Sequence, residues 1–277
     1  MSAPTAKRPG TGVFSPTRAQ ISERTLRTDA WWKSPLITDL GFAAFVIYAT
    51  VRAFQQDHFF VEKYHYLTPF YSPCISKGCG EASEFWPQIL PDVWWLPYAA
   101  ASLPFLLLFR LTCYYYRKAY YRSFWLSPPA CAVPDGHKRY TGETRFPLLF
   151  QNMHRYAWYV AVIFIVLLTW DALLAFRFPM PDGTVRFGIG VGTLVMWANV
   201  ILLAGYTFSC HSCRHVCGGY VDVFSRAKTR YRVWNFFSRL NEKHPMFAWL
   251  SLFSVGLTDL YIRLVAMGKI TDLRIIF

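Results

Sequence analysis

The chain has 277 residues, of which 54% are hydrophobic and 19% aromatic, and only 16% are charged. Soluble domains carry about 25% charged residues, so the composition excludes an ordinary water-soluble fold. The formal charge of +13 does not mark a nucleic-acid binder, because the basic residues fall between apolar runs, where membrane topology and anionic headgroups account for them. Residues 1–30 are polar and punctuated by Pro4, Pro9, Gly10, Gly12 and Pro16. They read as a flexible tail without the features of a cleavable signal peptide.

A helix needs about 20 mostly apolar residues to cross about 30 Å of hydrocarbon, and five stretches meet that requirement. The first covers residues 36–54 behind the interfacial pair Trp31 and Trp32. Residues 93–112 form the second, opening on Trp94 and Trp95 and containing Pro97 and Pro104. The third, 152–176, is the most hydrophobic. The fourth, 187–208, carries Gly188, Gly190 and Gly192, small residues that allow close helix contact. The fifth covers 246–267. The expected fold is an all-α integral membrane domain over residues 31–277, a bundle of about five transmembrane helices with interfacial amphipathic helices.

Charge asymmetry orients this bundle. The tail to Pro35 and segments 113–151 and 209–245 together hold 19 basic and six acidic residues, whereas segments 56–91, 177–187 and 268–277 hold six of each. The excess marks the cytoplasmic side, placing the N-terminus inside and the C-terminus outside a bacterial cell membrane. Residues 114–126 and Arg230–Leu240 mix aromatic and basic side chains, as helices in the headgroup layer do.

The cysteines divide by side. Cys74 and Cys79 fall in the outer loop, where oxidation is permitted, and read equally as a local disulfide or as two thiols. Cys113, Cys131, Cys210, Cys213 and Cys217 fall on the cytoplasmic side, where thiols are inert, reactive or metal-bound. The string Ser209-Cys-His-Ser-Cys-Arg-His-Val-Cys217 places three Cys and two His at the end of the fourth span. Cys-x-x-Cys spacing lets two thiolates reach one metal. Small residues packing a helix end are the structural alternative. His154 and His244 begin the third and fifth spans, so topology brings His154, His211, His215 and His244 to one layer beside the thiols. Rieske-type [2Fe–2S] centres take two Cys on one iron and two His on the other.

Helix geometry narrows the choice. On a continuous helix each residue advances by about 100°, so Cys210 and Cys213 share a face while His211 and His215 point away. His154 and His244, from neighbouring helices, then complement the thiolates. If the segment unwinds, Cys213 and His215 pair instead. His211, facing away from the thiolates, with Arg214 nearby, is the candidate contact for a quinone carbonyl. Within the spans, Asp259 and Arg263 are four residues apart and can pair on one helix face. Together with Asp171 they read as a structural ion pair or part of an outer proton path.

Four strings resemble the long membrane anchor of actinobacterial succinate dehydrogenase, a cytochrome b-like protein. They are Tyr64-His-Tyr-Leu-Thr-Pro-Phe-Tyr-Ser-Pro-Cys74, Ser127-Pro-Pro-Ala-Cys131, Phe150-Gln-Asn-Met-His154-Arg-Tyr156 and Ser209-Cys-His-Ser-Cys-Arg-His215. The resemblance implies a succinate:quinone oxidoreductase complex, with a flavoprotein and an iron–sulfur subunit as partners and menaquinone as acceptor. It implies a Rieske-type cluster with Cys210 and Cys213 as ligands. No histidine lies in the outer half of a span, which disfavours a two-haem relay, while one haem b on the cytoplasmic side stays open. The chain shows no catalytic constellation for succinate, so that chemistry belongs to a partner. A further small membrane subunit is left open. A zinc-sensing or zinc-transport protein and a purely structural assembly subunit are the competing functions.

Overall fold

The computed structural model describes residues 28–117, 130, 131, 133, 146 and 148–277. Most of the tail, the greater part of the 114–126 stretch and most of the Ser127–Cys131 string lie outside them. Among the described residues, four helices are long and apolar enough to cross a membrane. They are α1 (Lys33–Gln55), α3 (His154–Leu174), entered through the 3₁₀ turn Leu148–Met153, α4 (Val191–Phe208) and α7 (His244–Ala266). Their outward faces are apolar: α1 exposes Ile37, Leu40, Ile47, Val51 and Phe54 while burying Phe42, Phe45, Ala49 and Ala53. This is the pattern of a helix solvated by lipid, with its backbone satisfied internally.

The second expected span differs. Only Leu103–Thr112 (α2) is α-helical, 10 residues preceded by the 3₁₀ turn Tyr98–Ala101. At about 1.5 Å per residue α2 covers about half the hydrocarbon. The prolines supply the reason. Pro97 precedes the 3₁₀ turn and Pro104 sits in the first turn of α2, where a missing N–H is tolerated but not further inside a helix.

The space beside α2 is filled by the loop between α1 and α2. This loop carries the hairpin β1 (Phe60–Val61) and β2 (Tyr66–Leu67), and it buries Tyr66, Thr68, Phe70 and Tyr71 almost completely. The Tyr71 hydroxyl donates to the carbonyls of Arg52 and Ala53 at 2.8 and 3.0 Å, satisfying acceptors that the end of α1 leaves open. The Ser102 hydroxyl donates to the Phe70 carbonyl. Cys74 and Cys79 form a disulfide within the loop.

The fourth span begins at Val191 rather than Phe187. Residues Val185–Gly190 (β4) pair with Arg177–Pro179 (β3) and with the C-terminal Arg274–Ile276 (β5) in an antiparallel sheet. The small residues therefore do not serve helix contact as expected. A Cβ at Gly192 would run into the Tyr66 ring, so glycine there admits the outer loop against the start of α4. Beyond α4 follow the short α5 (His211–Gly218) and α6 (Lys228–Glu242), which contains the Arg230–Leu240 stretch and has no buried residue.

Asp259 and Arg263 pair inside the bundle with side chains fully buried. Arg263 Nε donates to both carboxylate oxygens at 3.1 Å, the Tyr48 hydroxyl donates to Oδ2 at 2.7 Å, and Arg263 Nη2 donates to the Arg52 carbonyl at 3.2 Å. Asp171 is also buried.

Candidate functional site

Four helix ends converge on one buried layer. Cys113 follows α2, His154 opens α3, Cys210 follows α4 and His244 opens α7. Their exposures are 1%, 2%, 2% and 8% respectively. His154 Nε2 lies 3.0 Å from Cys210 Sγ, and His244 Nε2 lies 3.3 Å from Cys113 Sγ. The two sulfurs are close enough to interact electrostatically, as are the two imidazoles.

Hydroxyl groups hold both rings by their Nδ1 atoms. Thr112 Oγ1 donates to the Leu108 carbonyl at 2.7 Å and lies 2.8 Å from His154 Nδ1. Ser209 Oγ donates to the Tyr206 carbonyl at 3.2 Å and faces His244 Nδ1 at 2.8 Å. Each ring is thereby oriented with its Nε2 toward sulfur, as an outer partner on one ring nitrogen orients a histidine whose other nitrogen binds metal. Phe109 stacks on His154 at 5.1 Å and Tyr206 on His244 at 5.1 Å. Burial and the neighbouring Cys113 push the Cys210 thiol up to about 12. Such a thiol stays protonated unless a metal takes the proton's place.

The backbone between α4 and α5 explains how Cys210 reaches this layer. Cys210 is extended, with φ −64° and ψ 146°, so the helix neither continues through Cys217 nor unwinds into a loop. It breaks once and restarts. Cys210 turns inward, while Cys213, also buried, lies one helical turn before Cys217 on α5, and burial with that neighbour pushes its thiol up to about 12. The structure therefore places Cys210, His154 and His244 in one layer with Cys113, whereas Cys213, near Cys210, makes no contact with either of these imidazoles. Among the described residues, no three His, Cys, Asp or Glu side chains close on a single metal-ion position; the donors stand instead as two Cys–His contacts.

Beside the layer is a polar cavity of about 380 Å³ lined by Tyr114, Asn152, His154, Arg155, Tyr156, His211, Ser212 and His215. His154 borders both sites. Arg155 Nη2 donates to His215 Nδ1 at 2.8 Å. Burial, then the charges of Arg214 and other neighbours, hold His211 below the usual imidazole range, which favours its neutral form. Arg214 does not line the cavity; its guanidinium lies over the Trp234 ring, 5.1 Å from the centroid.

Comparison with known proteins is consistent with this architecture. The sequence profile of the actinobacterial succinate dehydrogenase subunit SdhC matches residues 33–268. A chain of the Mycobacterium smegmatis Sdh1 complex in the apo form is 58% identical, with a TM-score of 0.86, covering 97% of this chain and 100% of that one. No curated protein sequence matches. The chain belongs to the actinobacterial SdhC family: it is a multi-pass membrane-anchor subunit of succinate dehydrogenase, and other subunits of that complex are its partners.

Proposed function

We propose that this anchor holds a Rieske-type [2Fe–2S] centre between Cys113, Cys210, His154 and His244 and presents quinone to it in the adjoining cavity. The observation that carries the reading is the buried layer in which two thiols each meet the Nε2 of an imidazole whose Nδ1 is held by a hydroxyl. Two thiolates and two imidazoles are the donor set of such a centre, which supplies a one-electron relay when bound. Thr112 and Ser209 orient the imidazoles, and Phe109 and Tyr206 stack against them. Because both Nε2 atoms face sulfur, the geometry favours a cluster over a bis-histidine haem b. Sequence spacing nominates Cys213 as the second thiolate; the contact with His244 favours Cys113.

We place this end on the cytoplasmic side, following the basic excess. The Cys74–Cys79 disulfide at the opposite end supports that orientation, since disulfides persist on the oxidising side. The flavoprotein and iron–sulfur subunits then meet the cytoplasmic face, where α6 presents Lys228, Arg230, Arg232 and Arg239. Iron and acid-labile sulfide analysis with low-temperature EPR of the reduced complex tests the cluster. A low-g [2Fe–2S] signal beyond those of the iron–sulfur subunit is expected; its absence ends the reading.

In the cavity, neutral His211 offers a hydrogen bond to a quinone carbonyl, with menaquinone the proposed acceptor, while Arg155 takes the role first given to Arg214. His211→Ala is expected to raise KM for quinone about tenfold, the equivalent of one hydrogen bond, without altering the EPR signal. Unchanged quinone kinetics and unchanged inhibitor binding would remove His211 from the site.

A further inference from the structure

We infer that Arg110 is the fixed positive charge that sets the redox poise of the Cys/His layer, stabilising the negative charge that one electron leaves there. The inference rests on the [2Fe–2S] reading above. Arg110 lies in the last turn of α2, three residues before Cys113, and is 5% exposed. Its hydrogen bonds all go to neutral groups: Nη1 donates to the Ala248 carbonyl and the Tyr116 hydroxyl at 3.2 Å, and Nη2 to Ser251 Oγ at 3.0 Å. Among the described residues no carboxylate pairs with it. These contacts engage three of the guanidinium's five N–H groups and leave its charge without a counterion.

The contrast with Arg263 is informative. That residue is also buried, and the fold gives it Asp259 as a partner on the next turn. An unpaired charge inside a bundle is costly and marks function. What Arg110 faces instead is the candidate site. Its guanidinium lies over the Tyr206 ring at 4.7 Å, and Tyr206 stacks on His244 at 5.1 Å. Its charge bears electrostatically on both Cys113 and His244. Phe45, Leu103, Leu203 and Val255 line the apolar cavity that Arg110 borders, so little screens the interaction.

Counting charges gives the sign. Two ferric ions, two sulfides, two thiolates and two neutral imidazoles carry no net charge. One electron delivered by the iron–sulfur subunit reduces one ferric ion to ferrous and leaves the layer with one negative charge. A nearby guanidinium favours that reduced form, so its removal lowers the midpoint potential.

Redox titration of the [2Fe–2S] EPR signal in the intact complex tests this with Arg110→Gln, Arg110→Met and Arg110→Lys. At the wild-type midpoint, the neutral variants are expected to show at least a tenfold lower ratio of reduced to oxidised centre, which is 59 mV for a one-electron couple, while Lys stays within about threefold. Unchanged midpoints in both neutral variants overturn the role of Arg110 and leave the cluster standing. Loss of the signal or of assembly in both neutral variants assigns the guanidinium to folding and overturns the inference as well. A wild-type complex without the signal removes the cluster reading itself, and this inference with it.

Discussion

Cys210→Ser and Cys113→Ser are each expected to erase the low-g [2Fe–2S] signal and with it nearly all quinone reduction, while succinate oxidation by a soluble artificial acceptor continues in the partner subunits. Cys210 and Cys113 are the two thiols in contact with an imidazole, and both are buried. Serine keeps the size but offers a far more weakly acidic hydroxyl in a dry site, where the proton cannot be shed without a strong ligand's return in binding energy. Cys213→Ser is the control that gives the series its force. It lies on α5 beside Cys217, and its variant is expected to keep the signal. If Cys213→Ser erases the signal and Cys113→Ser does not, the Cys-x-x-Cys spacing was the better guide. Retention of the signal in both Cys210→Ser and Cys113→Ser ends the cluster proposal.

The second large effect concerns stability at the opposite end. Asp259→Ala is expected to lower the stability of the complex by about 3–5 kcal/mol, the cost of removing one member of a buried ion pair. It leaves Arg263 only the half-exposed Asp57 carboxylate at 3.9 Å in place of the partner at 3.1 Å, and takes the acceptor from the Tyr48 hydroxyl. Arg263→Met has a second consequence, since it also strips a donor from the Arg52 carbonyl at the end of α1. The measurement is the thermal midpoint of the detergent-solubilised complex. A shift within error of wild type for Asp259→Ala would show that lipid or water, rather than the pair, satisfies these charges.

The helices α1, α3, α4 and α7 were legible because apolar length is a local property. The exceptions are as instructive. Trp94 to Pro104 is apolar enough for a span, but hydropathy does not record that Pro97 and Pro104 interrupt the hydrogen-bond ladder. Gly188, Gly190 and Gly192 suggested helix contact, yet what they admit is Tyr66, Phe178 and a sheet, partners more than a hundred residues away in the case of Tyr66. The site shows the same division. His154, Cys210 and His244 could be placed in one layer from topology. Cys113 was placed on the same side as these residues but stood outside any spacing motif, because its contact with His244 spans 131 residues. The break at Ser209–Cys210 carries neither Gly nor Pro, so a continuous helix was the natural expectation. Only the extended Cys210 backbone separates its thiol from that of Cys213.

The order in which the ribosome delivers this chain has a bearing on how the outer end closes. Asp272 accepts hydrogen bonds from the Tyr66 hydroxyl, the Tyr261 hydroxyl and the Gly192 amide at 3.0, 2.6 and 2.8 Å. Arg263 reaches back across 211 residues to the Arg52 carbonyl, and β5 completes its sheet with residues 274–276. Before residues 272–276 emerge, the Tyr66 hydroxyl has Thr193 Oγ1 as a neighbour at 3.3 Å, but the Gly192 amide lacks its acceptor. α7 with the strand that follows it is therefore the clasp of the outer end. A chain released before residue 272 would keep its apolar helices in the bilayer but lack the clasp, which makes it a natural substrate for membrane quality-control proteases.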